Sequence, residues 1–250
     1  EAEGAGRRLL RGDEPVGGGE GSRHAIDPAN PNIVYSAGFY HNMNRSDLSR
    51  VDGRGRISSK SITPRLSPAD GELRGQWLTP IIISPHDANV LYYGGQYVFR
   101  SYNRGDTWER ISPDLSYNDP KKQGDIPYQT VFALSESPMR AGLVYAGTDD
   151  GRLHVTRDGG RTWTEITKGL APGRWISKVV ASAFDEGTVY ASQNGKRDDD
   201  AAVYLWKSTD FGATWTSIAT GVPVGPVNVI TEDPVSPVIL YVGTEIGVYF

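Results

Sequence analysis

Cysteine is absent from the 250 residues. Disulfides, thiolate metal sites and cysteine nucleophiles are therefore excluded. Histidine is scarce, and the 4 present (His24, His41, His86 and His154) stand too far apart to form a metal-ligand spacing. No run approaches the roughly 18 apolar residues of a membrane-spanning helix. Basic residues are not in excess: 26 Lys and Arg against 30 Asp and Glu leave a net charge of −4. A general nucleic-acid binder would want a basic stripe, so none is expected. A sustained 3.6-residue hydrophobic period is also missing, which argues against a helical core. Residues 1–21 are Gly-rich and charged. They read as an N-terminal segment or linker and lack the apolar stretch of a secretory signal.

Glycine, by contrast, is abundant, with 30 residues, and 16 prolines accompany it. Such a chain turns often. An eight-residue box recurs as Ser101-Tyr-Asn103-Arg-Gly105-Asp-Thr107-Trp108, Thr156-Arg-Asp158-Gly-Gly160-Arg-Thr162-Trp163 and Ser208-Thr-Asp210-Phe-Gly212-Ala-Thr214-Trp215. The tryptophans are 55 and 52 residues apart. A second element keeps the same period: a turn, usually with Pro, followed by a β-branched run ending in Tyr35, Tyr92, Tyr145, Tyr190 or Tyr241. Repeats of about 50 residues, each holding four short strands bounded by turn residues, are the signature of β-propeller blades.

The fold class is therefore all-β, a propeller of four-stranded blades. Units are expected at about 22–62, 77–112, 129–167, 175–219 and 226–250, the last incomplete. The first unit keeps turn residues around Asp52-Gly53 but has no Thr-Trp. Propellers close with about four to eight blades. The ring is thus expected to be completed by the rest of a longer chain or by another segment. Within each box, Asn103, Asp158 and Asp210 should accept hydrogen bonds from their own turn. The glycine should supply a positive φ, and Trp108, Trp163 and Trp215 should pack between blades.

The box residues resemble the Asp-box, or bacterial neuraminidase repeat. That motif occurs in sialidases, sortilin-type receptors and xyloglucan-active double-propeller hydrolases. Longer segments sharpen the likeness, among them Trp77-Leu-Thr-Pro-Ile-Ile-Ile-Ser-Pro-His86-Asp, Ile111-Ser-Pro-Asp-Leu115 and Ala146-Gly-Thr-Asp-Asp-Gly151. They look like large exported bacterial proteins described as sortilin-like or glycosyl hydrolase repeat proteins. The resemblance implies a secreted or periplasmic location. It specifies a fold more than a function.

With the innermost strand of each blade as A and the outermost as D, boxes and A–B turns share one face. The B–C and D–A connections share the other. The long loops, about 63–78, 113–129 and 193–202, all fall on the latter, which is where function is expected. Asp149 and Asp150 occupy a B–C turn there, and Glu245 holds the equivalent place in the fifth unit. In the xyloglucan-active hydrolases an acid-base Asp follows a similar strand, and Thr148-Asp149-Asp150-Gly151 is similar to it. Glycoside hydrolysis needs two carboxylates roughly 5–10 Å apart, so Asp149 and Glu245 are the catalytic candidates. Those hydrolases draw their pair from two propellers, whereas this chain holds part of one. Asp149-Asp150-Gly151 is equally the composition of a simple hairpin turn.

Trp77, Trp175, Tyr117 and Tyr128, with Asp150, are candidate ligand contacts, since sugars stack on exposed aromatic faces. Trp77 and Trp175 could equally plug the propeller near its axis. Asp198-Asp-Asp200 beside Lys196-Arg197 lacks EF-hand spacing and reads as a solvated loop. Lys121-Lys122 and Arg174 read likewise. No sialidase arginine triad can be assigned. No metal or cofactor is expected. Two functions stay open: a propeller binding a polysaccharide or protein ligand, and a glycoside hydrolase acting on β-linked polysaccharide.

Overall fold

The computed structural model describes residues 23–53, 55–124 and 128–250. The N-terminal Gly-rich segment lies outside the described residues. The described chain forms five antiparallel sheets in sequence order. The first holds β1 (Arg23–Ile26), β2 (Ile33–Ala37), β3 (Met43–Val51) and β4 (Ile57–Ser61). The second holds β5 (Ile81–Ile83), β6 (Leu91–Gly94), β7 (Val98–Ser101) and β8 (Glu109–Arg110). The third holds β9 (Val131–Glu136), β10 (Val144–Thr148), β11 (Leu153–Thr156) and β12 (Thr164–Glu165). The fourth holds β13 (Trp175–Ala181), β14 (Val189–Asn194), β15 (Tyr204–Ser208) and β16 (Thr216–Ser217). The fifth has three strands, β17 (Val227–Glu232), β18 (Leu240–Thr244) and β19 (Val248–Tyr249). Each strand pairs with its neighbour in sequence, the meander of a propeller blade.

The core lies between blades. Four apolar clusters each join two successive sheets: Tyr35 with Tyr93, Tyr92 with Val131, Tyr145 with Ile176, and Tyr190 with Val227. The repeated Tyr of the B strand is thus a packing residue in the first four blades, whereas Tyr241 of the fifth is exposed. Glycines make this approach close. A Cβ on Gly94 would lie 2.7 Å from Val131, and one on Gly147 would lie 2.3 Å from Ile176. The B strand of one blade therefore touches the A strand of the next.

The box closes a loop on itself. Asp158 accepts from the Thr162 N–H at 2.9 Å and its hydroxyl at 2.7 Å, and Asp210 does the same with Thr214 at 2.8 and 2.7 Å. Asn103 accepts from the Thr107 N–H at 2.8 Å and donates its amide to the Thr107 hydroxyl. The Ser or Thr that opens each box accepts from the box glycine N–H, at 2.8 Å in all three. Those glycines have φ of 85°, 92° and 89°.

Each box tryptophan reaches back one blade. Its indole N–H donates to a carbonyl in the preceding D-strand region: Trp108 to Ile62 at 2.6 Å, Trp163 to Ile111 at 2.7 Å and Trp215 to Ile166 at 2.8 Å. The outermost strands β8, β12 and β16 begin one residue after the tryptophan. The indole turns out of the ladder to make its contact with the previous blade. Ile218 holds the same place in the fourth blade, its N–H bonded to the Leu205 carbonyl as that of Ile166 is to Leu153. No tryptophan donates to it among the described residues, and Ile218 is half-buried where Ile62, Ile111 and Ile166 are buried.

Candidate active site

Strand β10 is buried along its whole length and ends at Thr148. The turn that follows is fixed by its own hydrogen bonds. The Thr148 N–H donates to the Arg152 carbonyl at 2.8 Å, and the Thr148 hydroxyl accepts from the Arg152 N–H at 2.9 Å. Gly151 (φ 98°) packs against Gly173 and Arg174 of the next D–A loop, where a Cβ would come within 2.9 Å. Asp149 is thereby held between blades, its side chain 0% exposed. Oδ1 accepts from the Thr130 N–H at 2.8 Å. Oδ2 accepts from the Gln76 amide of the 63–78 loop, which leads into the second blade. Arg197 Nη1 stands 4.0 Å from Oδ2. Burial pushes the Asp149 carboxyl up to about 6, with a smaller push from neighbouring Asp150, against the pull of the Thr130 N–H and Arg197.

Asp150 faces the other way. It accepts from the Thr148 hydroxyl and from the Tyr117 N–H at 2.8 Å, so it anchors the long 113–129 loop. Burial raises its pKa too. Arg152 secures the same loop through the Ser116 carbonyl at 2.6 Å, and its guanidinium lies 5.1 Å from the Tyr117 ring. Tyr117 is 58% exposed.

The two candidate tryptophans flank Asp149. Trp77 follows Gln76, whose side-chain carbonyl accepts the Trp77 N–H at 2.6 Å. Phe39 and Tyr40, in a short 3-10 turn of the first blade, meet the Trp77 ring edge-on at 4.3 and 5.6 Å. On the other side, Trp175 meets Phe132 edge-on at 4.4 Å, and the Arg197 guanidinium lies 4.3 Å from the Trp175 ring. Arg197 also lies 5.9 Å from the Tyr128 ring. Burial, with the charges of Asp149 and Asp150, pushes the Tyr128 hydroxyl up to about 12. The indole N–H of Trp175 is buried and meets no acceptor.

Glu245 sits apart in an open position. It pairs with Lys196 at 3.0 Å and accepts from the Asn228 amide at 3.3 Å, and these contacts lower its pKa. Lys196 and Arg197 are consecutive in one 3-10 turn. That turn therefore runs from Glu245 on one side to Asp149 on the other. Asp198 and Asp200 hold Arg174 at 3.4 and 2.8 Å. Asp200 also accepts from Tyr204 at 2.7 Å. Among the described residues no group of three or more His, Asp or Glu could hold a metal.

Sequence reasoning passed over Gln76, Phe39, Tyr40 and Phe132, and read Arg197 as part of a solvated loop. Their only signal was adjacency, Gln76 to Trp77 and Phe132 to the start of β9. The arrangement offers a carboxyl that keeps its proton to near neutrality, an ionised carboxylate across the 196–197 turn, and aromatic rings on either side. Pairs of acids pushed apart in pKa are what acid–base chemistry requires.

Comparison with known proteins accords with this architecture. Residues 96–228 match the family model described as Sortilin-Vps10, sortilin, neurotensin receptor 3. The chain is similar to a xyloglucanase, Xgh74A, of Acetivibrio thermocellus, 29% identical over an alignment of 217 positions that covers 78% of this chain and 25% of that protein. It is similar also to a xyloglucanase of Paenibacillus sp, 26% identical over an alignment of 218 positions that covers 78% of this chain and 21% of the relative. The chain thus spans about a quarter of the length of these curated relatives. Among solved structures, the GH74 xyloglucanase of Xanthomonas campestris superposes with a TM-score of 0.62 at 23% identity, over 88% of this chain and 34% of the other. The WD40 β-propeller domain of Doa1 does so with a TM-score of 0.53 at 14% identity, over 90% and 62%. Both structures speak to the propeller fold alone.

Proposed function

The chain belongs to the Sortilin-Vps10 family, and we propose that it is a polysaccharide-binding propeller of a glycoside hydrolase acting on β-linked glycans of the xyloglucan kind. Residues 22–250 form the propeller portion, and the rest of a longer protein completes the ring and the cleft. Asp149 is the general acid and Glu245 the ionised partner. Trp77, Trp175, Tyr117 and Tyr128 line the sugar subsites, with Asp150 fixing the loop that carries Tyr117. A polysaccharide substrate of this size places the protein outside the cytoplasm, secreted or periplasmic.

The observation that carries this reading is Asp149, a carboxyl held at about 6 by burial, between two tryptophan clusters on the long-loop face. A general acid works best with a pKa near the operating pH. The similarity to xyloglucanases supports the choice of glycan. To act, Asp149 must be uncovered. Gln76 and Arg197 cover Oδ2; Gln76 is buried, and of the two only Arg197, with its side chain 46% exposed, lies at the surface. A sugar seated on the Trp175 face would displace Arg197 from it.

A second reading, a propeller that binds a glycan or protein without cleaving it, is favoured by one observation. Asp149 has no exposed surface, and both its oxygens already accept hydrogen bonds. Release of reducing ends from xyloglucan separates the two. Asp149→Asn should lower release by at least about 10²-fold while leaving xyloglucan binding within a few-fold. Glu245→Gln should lower it comparably. Saturable binding with no sugar release from the native protein would establish the second reading and remove Asp149 and Glu245 from any catalytic role.

A further inference from the structure

The A strand of every sheet is paired on one side only, so its other edge faces the propeller axis. Residues of all five A strands line an axial cavity of about 680 Å³. This falls within the size range of small-molecule sites. Two of the lining side chains are cations, Arg23 on β1 and Lys178 on β13. No carboxylate belongs to the lining among the described residues.

Among the described residues neither cation has a charge partner. By contrast, Arg152, Arg174, Lys196 and Arg197 each have a carboxylate within 4.0 Å. The Arg23 guanidinium carbon lies over the Phe132 ring, 4.2 Å from its centroid. Burial pulls its pKa down to about 10, and burial together with the charge of Arg23 lowers that of Lys178. Two desolvated like charges facing one cavity are costly unless an anion joins them. Ser177 and Asn228 add polar atoms to the same wall.

A chain of contacts links the cavity to the candidate site. Arg23 stacks on Phe132, Phe132 packs on Trp175, and Trp175 carries Arg197 beside Asp149. A ligand group entering at Arg23 is therefore one aromatic layer from the sugar face of Trp175.

We infer that the axial cavity is an anion-accepting subsite for the carboxylate of an acidic sugar, a uronate, held between Arg23 and Lys178. Arg23 supplies a planar donor fork suited to a carboxylate, and Lys178 a point charge opposite. The anion site rests on the two cations; the choice of a sugar rests on the glycan reading above.

The test is isothermal titration of the chain with sodium glucuronate, glucose and inorganic phosphate at low salt. Glucuronate should bind with one-to-one stoichiometry and weaken as salt is raised, while glucose should not bind at this site. Arg23→Gln and Lys178→Gln should each weaken glucuronate binding by about tenfold or more. Both put a polar side chain where a polar one stood, and unchanged melting will show that each variant is folded. Asp149→Asn should leave this binding intact, so failure of the hydrolase reading is seen separately from failure of this one. No glucuronate binding, or binding indifferent to both substitutions, overturns the site. Phosphate binding more tightly than glucuronate overturns the carboxylate assignment.

Discussion

Asp149 stands under opposed influences. Burial favours its neutral form, while the Thr130 N–H, the Gln76 amide and Arg197 favour the charged one. Burial prevails, and the carboxyl keeps its proton to about 6 in the fold against an ordinary 3.8. A raised native pKa gives stability that is complete below pH 3.8 and lost as the pH rises through 6. Asparagine has no proton to lose. The stability of Asp149→Asn relative to the native protein should therefore climb between pH 4 and 7, by on the order of 1–3 kcal/mol. Chemical denaturation of both proteins at several pH values measures the difference, in which other titrating groups cancel. A flat difference would show that the buried carboxyl is ionised throughout. The sequence marked Asp149 as a turn acid on the long-loop face. It could not show the burial, because that comes from Gln76 and Thr130, 73 and 19 residues away.

At the scale of the element, the box was legible and its tie to the neighbouring blade was not. Asn103, Asp158 and Asp210 make contacts within four residues, and such local chemistry is written in the spacing. The carbonyls that the tryptophans reach lie 46, 52 and 49 residues back. Nothing in an isoleucine singles out its carbonyl. The same holds at the site, where Arg197 covers the Trp175 ring although the two belong to different segments of the fourth blade. Trp163→Phe keeps an aromatic ring and removes only the indole and its N–H. It should cost about 1–2 kcal/mol in urea unfolding. Trp108→Phe should cost a similar amount. A loss below about 0.3 kcal/mol in both would mean that water replaces the bond without penalty. Gly160→Ala should be worse tolerated, because φ is 92° and the new Cβ would lie 2.7 Å from that of Ile111.

On the scale of the whole molecule, the blades are unequal. Strand β10 is buried at all five positions, with a blade on each side. Strand β18 has a single buried residue, and Val235, Val238 and Val248 are 83%, 89% and 75% exposed. Local stability follows buried contact. Amide hydrogens of β17, β18 and β19 should therefore exchange faster than those of β9, β10 and β11. Exchange followed by mass spectrometry tests this, and equal protection would mean that the whole chain opens as one unit.

The indole contacts all point in one direction, from a later blade to an earlier one. On a ribosome this sets a clock. A blade whose own strands have all emerged still lacks the bond that secures its outer edge until the next tryptophan follows. About 50 residues separate the two events, roughly 3–10 s at ordinary rates of synthesis. While the second, third and fourth blades are made, the newest blade is thus provisional and the one before it has just been locked.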